Sequence, residues 1–418
     1  MLHFHMIKRL LLYFIFIFIF MGMLHANILQ ETIDNAPAGA TLKLPSGIYA
    51  GNIVISKPLS IIGKAKNVII QGEGNGTVIT VNSSHVILKN LQIRNSGSRM
   101  ENLDSAIELH HVKDCEVSHC RITDSLYGID MNMVEDSIIS NNYIRSKKND
   151  ISLRGDALKI WYAKNNLIKN NTIEFTRDVT LTYAHNNTIE NNTFLHNRFG
   201  LHLSMSHNNT IRHNTFKYNS VSILLMGVKD INVTGNTILS SKGAAGIAVV
   251  ADKVSNFHFT DNTLKYNAKA LYIDTKGTER GKQRFIKNNL LSHNGEALHF
   301  HASIKNNVIT HNTIIGNMDD VVKDTRDGYK GDNIIEYNYW DRYEGFDKNQ
   351  DNIGDTTHKN FIYADQLWQY DHRVKFFYGT PIMSIINFLA EVAPFIKPVL
   401  LLEDTKPLIN LQDREVHQ

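Results

Sequence analysis

The chain has 418 residues, and its 44 Lys and Arg residues nearly balance its 41 Asp and Glu residues, so the formal net charge is only +3 with histidine neutral. This charge is too small and too evenly spread to favour nucleic acid as a partner. Two cysteines exclude a disulfide scaffold. The 20 histidines and 11 methionines are soft or borderline metal ligands, although their abundance alone assigns no site.

Residues 1–26 have the features of a secretory signal peptide. Lys8 and Arg9 give a basic start, Leu10 to Leu24 is uncharged and almost wholly apolar, and Ala26 is a small residue suited to cleavage. The apolar run is short for a membrane span, and the alternative is a signal anchor that is not cut. Either outcome places the rest of the chain outside the cytoplasm.

Residues 27–63 are predicted to form an N-terminal cap and the first coil. Ile28 to Ile33 has the pattern of a short amphipathic helix, and a Pro-Ser-Gly turn at 45–47 separates two strand-like runs. A solenoid needs its open end covered, and this segment is placed to cover it.

Residues 64–345 repeat a short phrase in which asparagine precedes an alternating run such as Thr-Ile or Thr-Phe. The repeated asparagines lie at positions 142, 171, 192, 214, 236, 262, 289, 312 and 338, at intervals of 21 to 29 residues. A fixed period of this size without helical pieces indicates a solenoid. About 22 residues at roughly 3.3 Å each suit three short strands and three turns.

These observations predict an all-β fold, a right-handed parallel β-helix with an N-terminal cap, a short apolar C-terminal helix and an extended arm. Apolar side chains should stack inside, and each turn asparagine should bond the next. A leucine-rich repeat lacks support because its L-x-x-L-x-L spacing is absent. The N-x-T triplets fit a turn ladder better than glycosylation sites, since they recur in register.

The two cysteines, Cys115 and Cys120, lie five residues apart, which in extended chain is about 16 Å and beyond disulfide reach. Cys120 occupies a position where the repeat places an apolar side chain. A buried structural thiol is therefore favoured over a copper thiolate.

One column of the coils gathers histidine and methionine. Alternation places His110, Asp130, His202, Met226, His299 and His301 on one outward face, with Met133 and Met205 at the adjoining turn. Such a face can receive a soft metal such as Cu(I), and the copper candidates are His202, Met205, Met226, His299 and His301. The alternative is a solvated polar face. A hydrolase would need converging carboxylates; the nearest approach is Asp319 and Asp320 with Asp324 and Asp327.

Residues 346–375 are predicted to be a closing loop and C-terminal cap. The loop contains D-x-N-x-D-x-x-x-D, whose alternate oxygens suit calcium. The calcium candidates are Asp347, Asn349, Asp351, the Ile353 carbonyl and Asp355. The alternative is an Asx-rich turn satisfied by its own backbone.

Residues 376–418 are predicted to be an apolar helix and tail for partner docking. Thr380 can cap the helix, Pro381 suits its first turn and Pro394 stops it. The helix is too short to span a bilayer and must bury against something. The alternative to a partner is packing on the cap. The docking candidates are Pro381, Ile382, Ile385, Ile386, Phe388, Leu389, Leu400 and Leu401.

A family resemblance is carried by the signal peptide, the asparagine coils and three sequence segments: Trp340-Asp341 to Asp355, Tyr363 to Trp368, and Pro398 to Leu408. In these features the chain resembles the NosD family. The resemblance implies a periplasmic β-helix protein that matures nitrous oxide reductase without being an enzyme. It implies an ABC transporter permease and its ATPase as partners, a lipoprotein copper chaperone, and nitrous oxide reductase as client. Attachment to the inner membrane through the transporter and transient copper handling follow from it.

The alternative hypothesis is a secreted polysaccharide-active β-helix enzyme, a lyase or hydrolase. That enzyme would need carboxylates or basic groups clustered on neighbouring coils and would have no need for an apolar C-terminal helix. The assembly factor needs the helix.

Overall fold

The computed structural model describes residues 28–243, 245–274, 279, 281–325, 330–362, 372–377, 380–392 and 399–411. The chain divides into two compact units, Met1–Val179 and Thr180–Gln418. Both consist mainly of short strands in parallel sheets, so the predicted parallel β-helix is confirmed. The predicted signal peptide lies outside the described residues. In the described part of the chain, no helix is long and apolar enough to cross a membrane.

The first unit has three parallel sheets, because each coil contributes one strand to each sheet. Sheet 1 contains Ala40–Leu44, Leu59–Gly63, Ile87–Lys89, Glu116–Ser118, Ile138–Ser140 and Leu167–Lys169. Sheet 2 contains Gly47–Ala50, Val68–Gln71, Gln92–Arg94, Arg121–Ser125, Tyr143–Ser146 and Thr172–Glu174. Sheet 3 contains Ile53–Ile55, Ile79–Val81, Ser105–His110, Tyr127–Asn132 and Leu158–Trp161. A 3-10 turn spans Ile151–Leu153.

The second unit follows the same plan, and the strand Asp178–Thr182 spans the boundary residues. Its sheet 1 contains Thr188–Glu190, Thr210–Arg212, Lys229–Thr234, Ser255–Thr260, Arg284–Lys287, Asn307–Thr310 and Ile334–Glu336. Its sheet 2 contains Thr193–Leu195, Thr215–Lys217, Thr237–Leu239, Thr263–Lys265, Leu290–Ser292, Thr313–Ile315 and Tyr339–Trp340. Its sheet 3 contains Phe199–Ser204, Val221–Met226, Ile247–Asp252, Lys269–Asp274, Glu296–His301 and Asp319–Lys323.

The remaining elements lie late in the chain. Ile304–Lys305 pairs in parallel with Lys330–Gly331. A 3-10 helix spans His372–Phe377, and an α-helix, here called the docking helix, spans Pro381–Val392. His358–Ile362 and Val399–Asp404 form an antiparallel ribbon. The docking helix therefore lies, in sequence, between two strands that pair with each other.

The core of each unit is built by alternation along the strands. Ile129 and Met131 point inward and are fully buried, while their neighbour Asp130 points outward. In the second unit Phe194 and Phe216 stack with ring centroids 4.7 Å apart on successive coils. Each fully buried Ile, Leu or Phe contributes about 1.5–3 kcal/mol, so the repeat of inward apolar residues stabilises every coil. The two cysteines form no disulfide with each other, as predicted, and Cys120 is buried as predicted; Cys115 is buried as well. Burial raises the pKa of Cys120 to about 12.

The predicted asparagine ladder is confirmed. In the first unit, Asn142 donates from its backbone N and its Nδ2 to Asn171 Oδ1 at 2.9 and 3.1 Å. In the second unit, Asn192 donates in the same way to Asn214 Oδ1 at 2.9 and 3.0 Å. The bonds then run from Asn214 through Asn236, Asn262, Asn289 and Asn312 to Asn338. Buried turns thus keep their amides satisfied.

The N-terminal end is covered by helical residues 28–35, which bury Leu29 and Ile33. The Gln30 side chain bonds to the backbone of Val54 in the first strand of sheet 3: its Oε1 accepts from Val54 N at 2.8 Å and its Nε2 donates to Val54 O at 3.0 Å. One side-chain amide therefore takes the place of a neighbouring strand.

The C-terminal end is covered by residues 399–408, which we call the strap. Asp404 is fully buried and stands where the next ladder asparagine would stand. Its Oδ2 accepts from Asn338 Nδ2 at 2.8 Å and from Trp340 Nε1 at 3.0 Å, and its Oδ1 accepts from Lys406 N at 3.0 Å. The strap carries its own apolar side chains inward at Leu401 and Leu402. We therefore assign it to the cap, and packing on the cap was the alternative to partner docking that the sequence left open.

Candidate functional site

The docking helix presents an apolar surface. Thr380 Oγ1 accepts from Met383 N at 3.4 Å, which supports the predicted cap, and Met383 is buried. Ile382 and Phe388 are 65% and 62% exposed. The other predicted docking residues of the helix, Pro381, Ile385, Ile386 and Leu389, are also exposed. Large apolar side chains exposed together on one short helix are typical of an interaction site.

The two predicted docking residues of the strap behave differently. Leu401 is only 3% exposed and Leu400 is partly buried, because the strand Val399–Asp404 pairs with His358–Ile362. Leu401 is committed to the cap and is not available to a partner in this arrangement. The sequence pattern of consecutive leucines gave no sign of which strand they would join.

Two of the copper candidates lie together on successive coils of the second unit. Met205 N donates to Met226 O at 3.0 Å, and the two side chains are 47% and 38% exposed. His202 lies on the same strand as Ser204, which is in register with Met226. The two thioethers are accessible, and the His202 imidazole lies on the strand that ends just before Met205. Thioethers and imidazoles are ligand types that Cu(I) accepts.

The other two copper candidates, His299 and His301, lie four coils further along the same sheet. The register runs from His202 through Leu224, Val250 and Tyr272 to His299. At about 4.8 Å a coil this is roughly 19 Å. The five candidates therefore do not form one site. Alternation placed His202, Met226, His299 and His301 on strands of one sheet, but a shared face does not fix the coil.

His299 is held in a network of ion pairs. Its Nδ1 bonds Glu296 Oε2 at 2.5 Å and its Nε2 bonds Asp324 Oδ2 at 3.2 Å, while His301 Nδ1 lies 2.9 Å from Asp324 Oδ1. Lys269 Nζ lies 3.0 Å from Glu296 Oε2. Burial opposes charge on His299, but the bonds to Asp324 and Glu296 prevail and raise its pKa.

The pKa of the carboxylate partner shifts in the opposite direction. Burial alone would raise the pKa of Asp324, but its bonds to His299 and His301 lower it to about 2. An imidazolium with both nitrogens bonded to carboxylates has no lone pair for a metal. Among the described residues no group of three or more His, Cys, Asp or Glu side chains is arranged to hold a metal ion.

Of the four acidic residues that came nearest to a hydrolase cluster, Asp320 and Asp324 make separate ion pairs. Asp324 pairs with the histidines, and Asp327 lies outside the described residues. Asp320 is buried, with Arg342 Nη1 at 3.8 Å, and burial raises its pKa to about 7. The sequence did not predict that Glu296 and Asp324 bond the two ring nitrogens of His299. Asp324 follows the strand Asp319–Lys323 and so lies outside the column of strand residues that was aligned between coils.

The predicted calcium loop is a turn whose carboxylates bond its own backbone. Asp347 accepts from the N–H groups of Gln350 at 2.6 Å and Asn352 at 2.8 Å. Asp351 accepts from Ile353 N at 2.8 Å and Asp355 from Lys348 N at 2.9 Å. Asn349 donates its amide to Asp351. These bonds favour the alternative of an Asx-rich turn, and the calcium site stays a prediction.

Comparison with known proteins gives a family match. Residues 140–345 match the family described as "Periplasmic copper-binding protein (NosD)". A protein of Pseudomonas aeruginosa named "Probable ABC transporter binding protein NosD" is 27% identical over 405 residues, covering 92% of each chain. A protein of the same name from Stutzerimonas stutzeri is 27% identical over 397 residues, covering 88% of this chain and 86% of its own.

A solved structure supports the fold alone. The pre-mature gene product 12 of bacteriophage phi29 superposes with a TM-score of 0.51 at 12% identity, covering 71% of this chain and 52% of that chain. At this identity the likeness is evidence for stacked parallel coils and carries no information about activity.

Proposed function

The chain belongs to the NosD family of periplasmic proteins, and we propose on that premise that it is a non-enzymatic assembly factor for the copper–sulfur centre of nitrous oxide reductase. It acts with an ABC transporter permease and its ATPase and receives copper from a lipoprotein chaperone. Its client is nitrous oxide reductase. Its attachment to the inner membrane is peripheral and runs through the permease. The name of the two relatives, "Probable ABC transporter binding protein NosD", supports this proposal.

The observation that carries the proposal is the docking helix. It exposes Ile382, Ile385 and Phe388, and the strands before and after it in sequence pair with each other. A soluble catalyst gains nothing from such a surface, whereas a groove between permease helices would bury it. Each apolar side chain so buried contributes about 1.5–3 kcal/mol.

Copper handling is assigned to the thioether pair. Met205 and Met226, with His202 nearby, present soft ligands at the surface, and transfer from a chaperone needs accessible ligands. The proposed cargo site therefore excludes His299, both of whose ring nitrogens are bonded to carboxylates, and His301, whose Nδ1 is bonded to Asp324.

The test of docking replaces residues 381–392 by a Gly-Ser linker of equal length and keeps residues 399–411. The strap must stay because Asp404 and Leu401 belong to the cap, so a cut that removes them would confuse docking with stability. We expect the variant to keep its melting temperature and to lose co-purification with the permease. Ile48→Asp is the matched control, since Ile48 is 61% exposed on a strand far from the helix in sequence. Co-purification of the linker variant at the wild-type level would refute docking through this helix.

A further inference from the structure

A second polar cluster lies in the first unit, on the outer face of sheet 3. Glu108, Asp130 and Lys159 are in register on three successive coils. Asp130 points outward, since its neighbours on the strand point into the core, yet its side chain is only 4% exposed. The carboxylate therefore lies below the level of the outward side chains around it, with Lys159 Nζ 3.4 Å from its Oδ1, and we call this group of side chains the recess.

The polar groups of this recess are incompletely satisfied. His110 and Asn132 stand opposite each other in register, and within the described residues His110 Nδ1 and Asn132 Oδ1 have no hydrogen-bond partner. Buried polar atoms without a partner are uncommon and call for an explanation. The contrast with His299 is direct, because both nitrogens of that imidazole have carboxylate partners. Since His110 and Asn132 are only partly buried, rotation of their side chains can turn these atoms toward a bound molecule.

An aromatic rim borders the recess. Trp161 is in register with Asn132, and its indole is 39% exposed. Tyr162 is 49% exposed, with its ring centroid 5.3 Å from that of Trp161. Lys159 Nζ lies 5.2 Å from the indole centroid, so the same ammonium group is close to both Trp161 and the Asp130 carboxylate. An exposed tryptophan beside recessed hydrogen-bonding groups offers an apolar plane and polar contacts to one ligand.

The charges decide which ligand fits. The Lys159 ammonium beside Asp130 disfavours a metal cation, and the two carboxylates repel nucleic acid and acidic sugars. A neutral sugar chain suits the set, because its hydroxyls can donate to Glu108 and Asp130 and accept from Lys159 while a pyranose ring lies on Trp161. We propose that this recess binds a neutral or N-acetylated glycan chain, of the kind that a periplasmic protein meets in the cell wall. The site is separate in sequence from the thioether pair and from the docking helix.

The experiment titrates the mature protein calorimetrically with three tetrasaccharides: an N-acetylglucosamine tetramer, a glucose tetramer and a galacturonic acid tetramer. We expect binding of at least one of the first two and weaker binding of the acidic one. Trp161→Ala should weaken binding about tenfold, and Trp161→Phe should retain most of it. Tyr266→Ala is the matched control, because Tyr266 is an aromatic residue 60% exposed in the second unit.

Three results of the titrations would overturn the proposal. They are no binding by either neutral tetramer, equal binding by wild type and a folded Trp161→Ala variant, and preference for the acidic tetramer. A Trp161→Ala variant that loses its permease would assign the patch to a protein partner instead and would also overturn it. Permease binding by the variant together with lost glycan binding would support the proposal and leave the assembly role unaffected.

Discussion

Asp404 ends the asparagine ladder, and its removal should loosen the C-terminal cap. In Asp404→Ala the indole N–H of Trp340 loses its acceptor, and so does one N–H of the Asn338 side-chain amide, whose other bond runs to Ile309 O; both residues are almost fully buried. An unsatisfied buried donor costs about 1–3 kcal/mol, so the two together should lower the free energy of unfolding of the cap by about 2–6 kcal/mol. In a solenoid each coil contacts only its neighbours, so the loss should stay local to the cap.

The assay is limited proteolysis of the strap together with hydrogen exchange of the Trp340 indole. We expect Asp404→Ala to speed cleavage between residues 399 and 411 and to speed exchange of the indole proton, while the other coils keep their protection. Asp404→Asn should cost less, because its carbonyl oxygen can accept from Asn338 as each ladder asparagine does. Glu403→Ala is the neighbouring control, since its pair with Lys359 is at the surface, at 3.7 Å, and contributes about 0–1 kcal/mol. Equal cleavage and exchange in wild type and Asp404→Ala would refute this reasoning.

Two further predictions concern metals. Cu(I) titration of the mature protein should show stoichiometric binding that Met205→Leu with Met226→Leu removes and that His299→Gln with His301→Gln leaves in place; the reverse pattern would move the site to the histidine pair. Calcium chelation should leave the melting temperature unchanged, because Asp347 and Asp351 already accept backbone N–H groups; a lower melting temperature that added calcium restores would establish the cation loop instead.

The sequence was most informative where structure depends on local repetition. The spacing of Asn192, Asn214 and Asn236 predicted both the coils and the ladder, because each rung needs only the rung beside it. Thr380 and Pro381 predicted the start of the docking helix, since capping is decided within one turn. Both signals can be read without knowing where distant parts of the chain lie.

The sequence was least informative where the chain returns on itself. Asp404 joins the ladder 66 residues after Asn338, and no period links the two positions. Alternation placed His202 and His299 on one face but not in one coil. The recess around Asp130 was missed as well, although its column was aligned, because the pattern showed an outward acid and not its burial.

Gln30 has a consequence for how copies of this protein meet. The first strand of sheet 3 would otherwise offer a free edge, and such edges are where a foreign strand adds to begin a filament. With both backbone groups of Val54 already bonded to one amide, an incoming strand must first displace Gln30. Gln30→Ala would uncover this edge, and the variant should therefore associate into fibres more readily than the wild type.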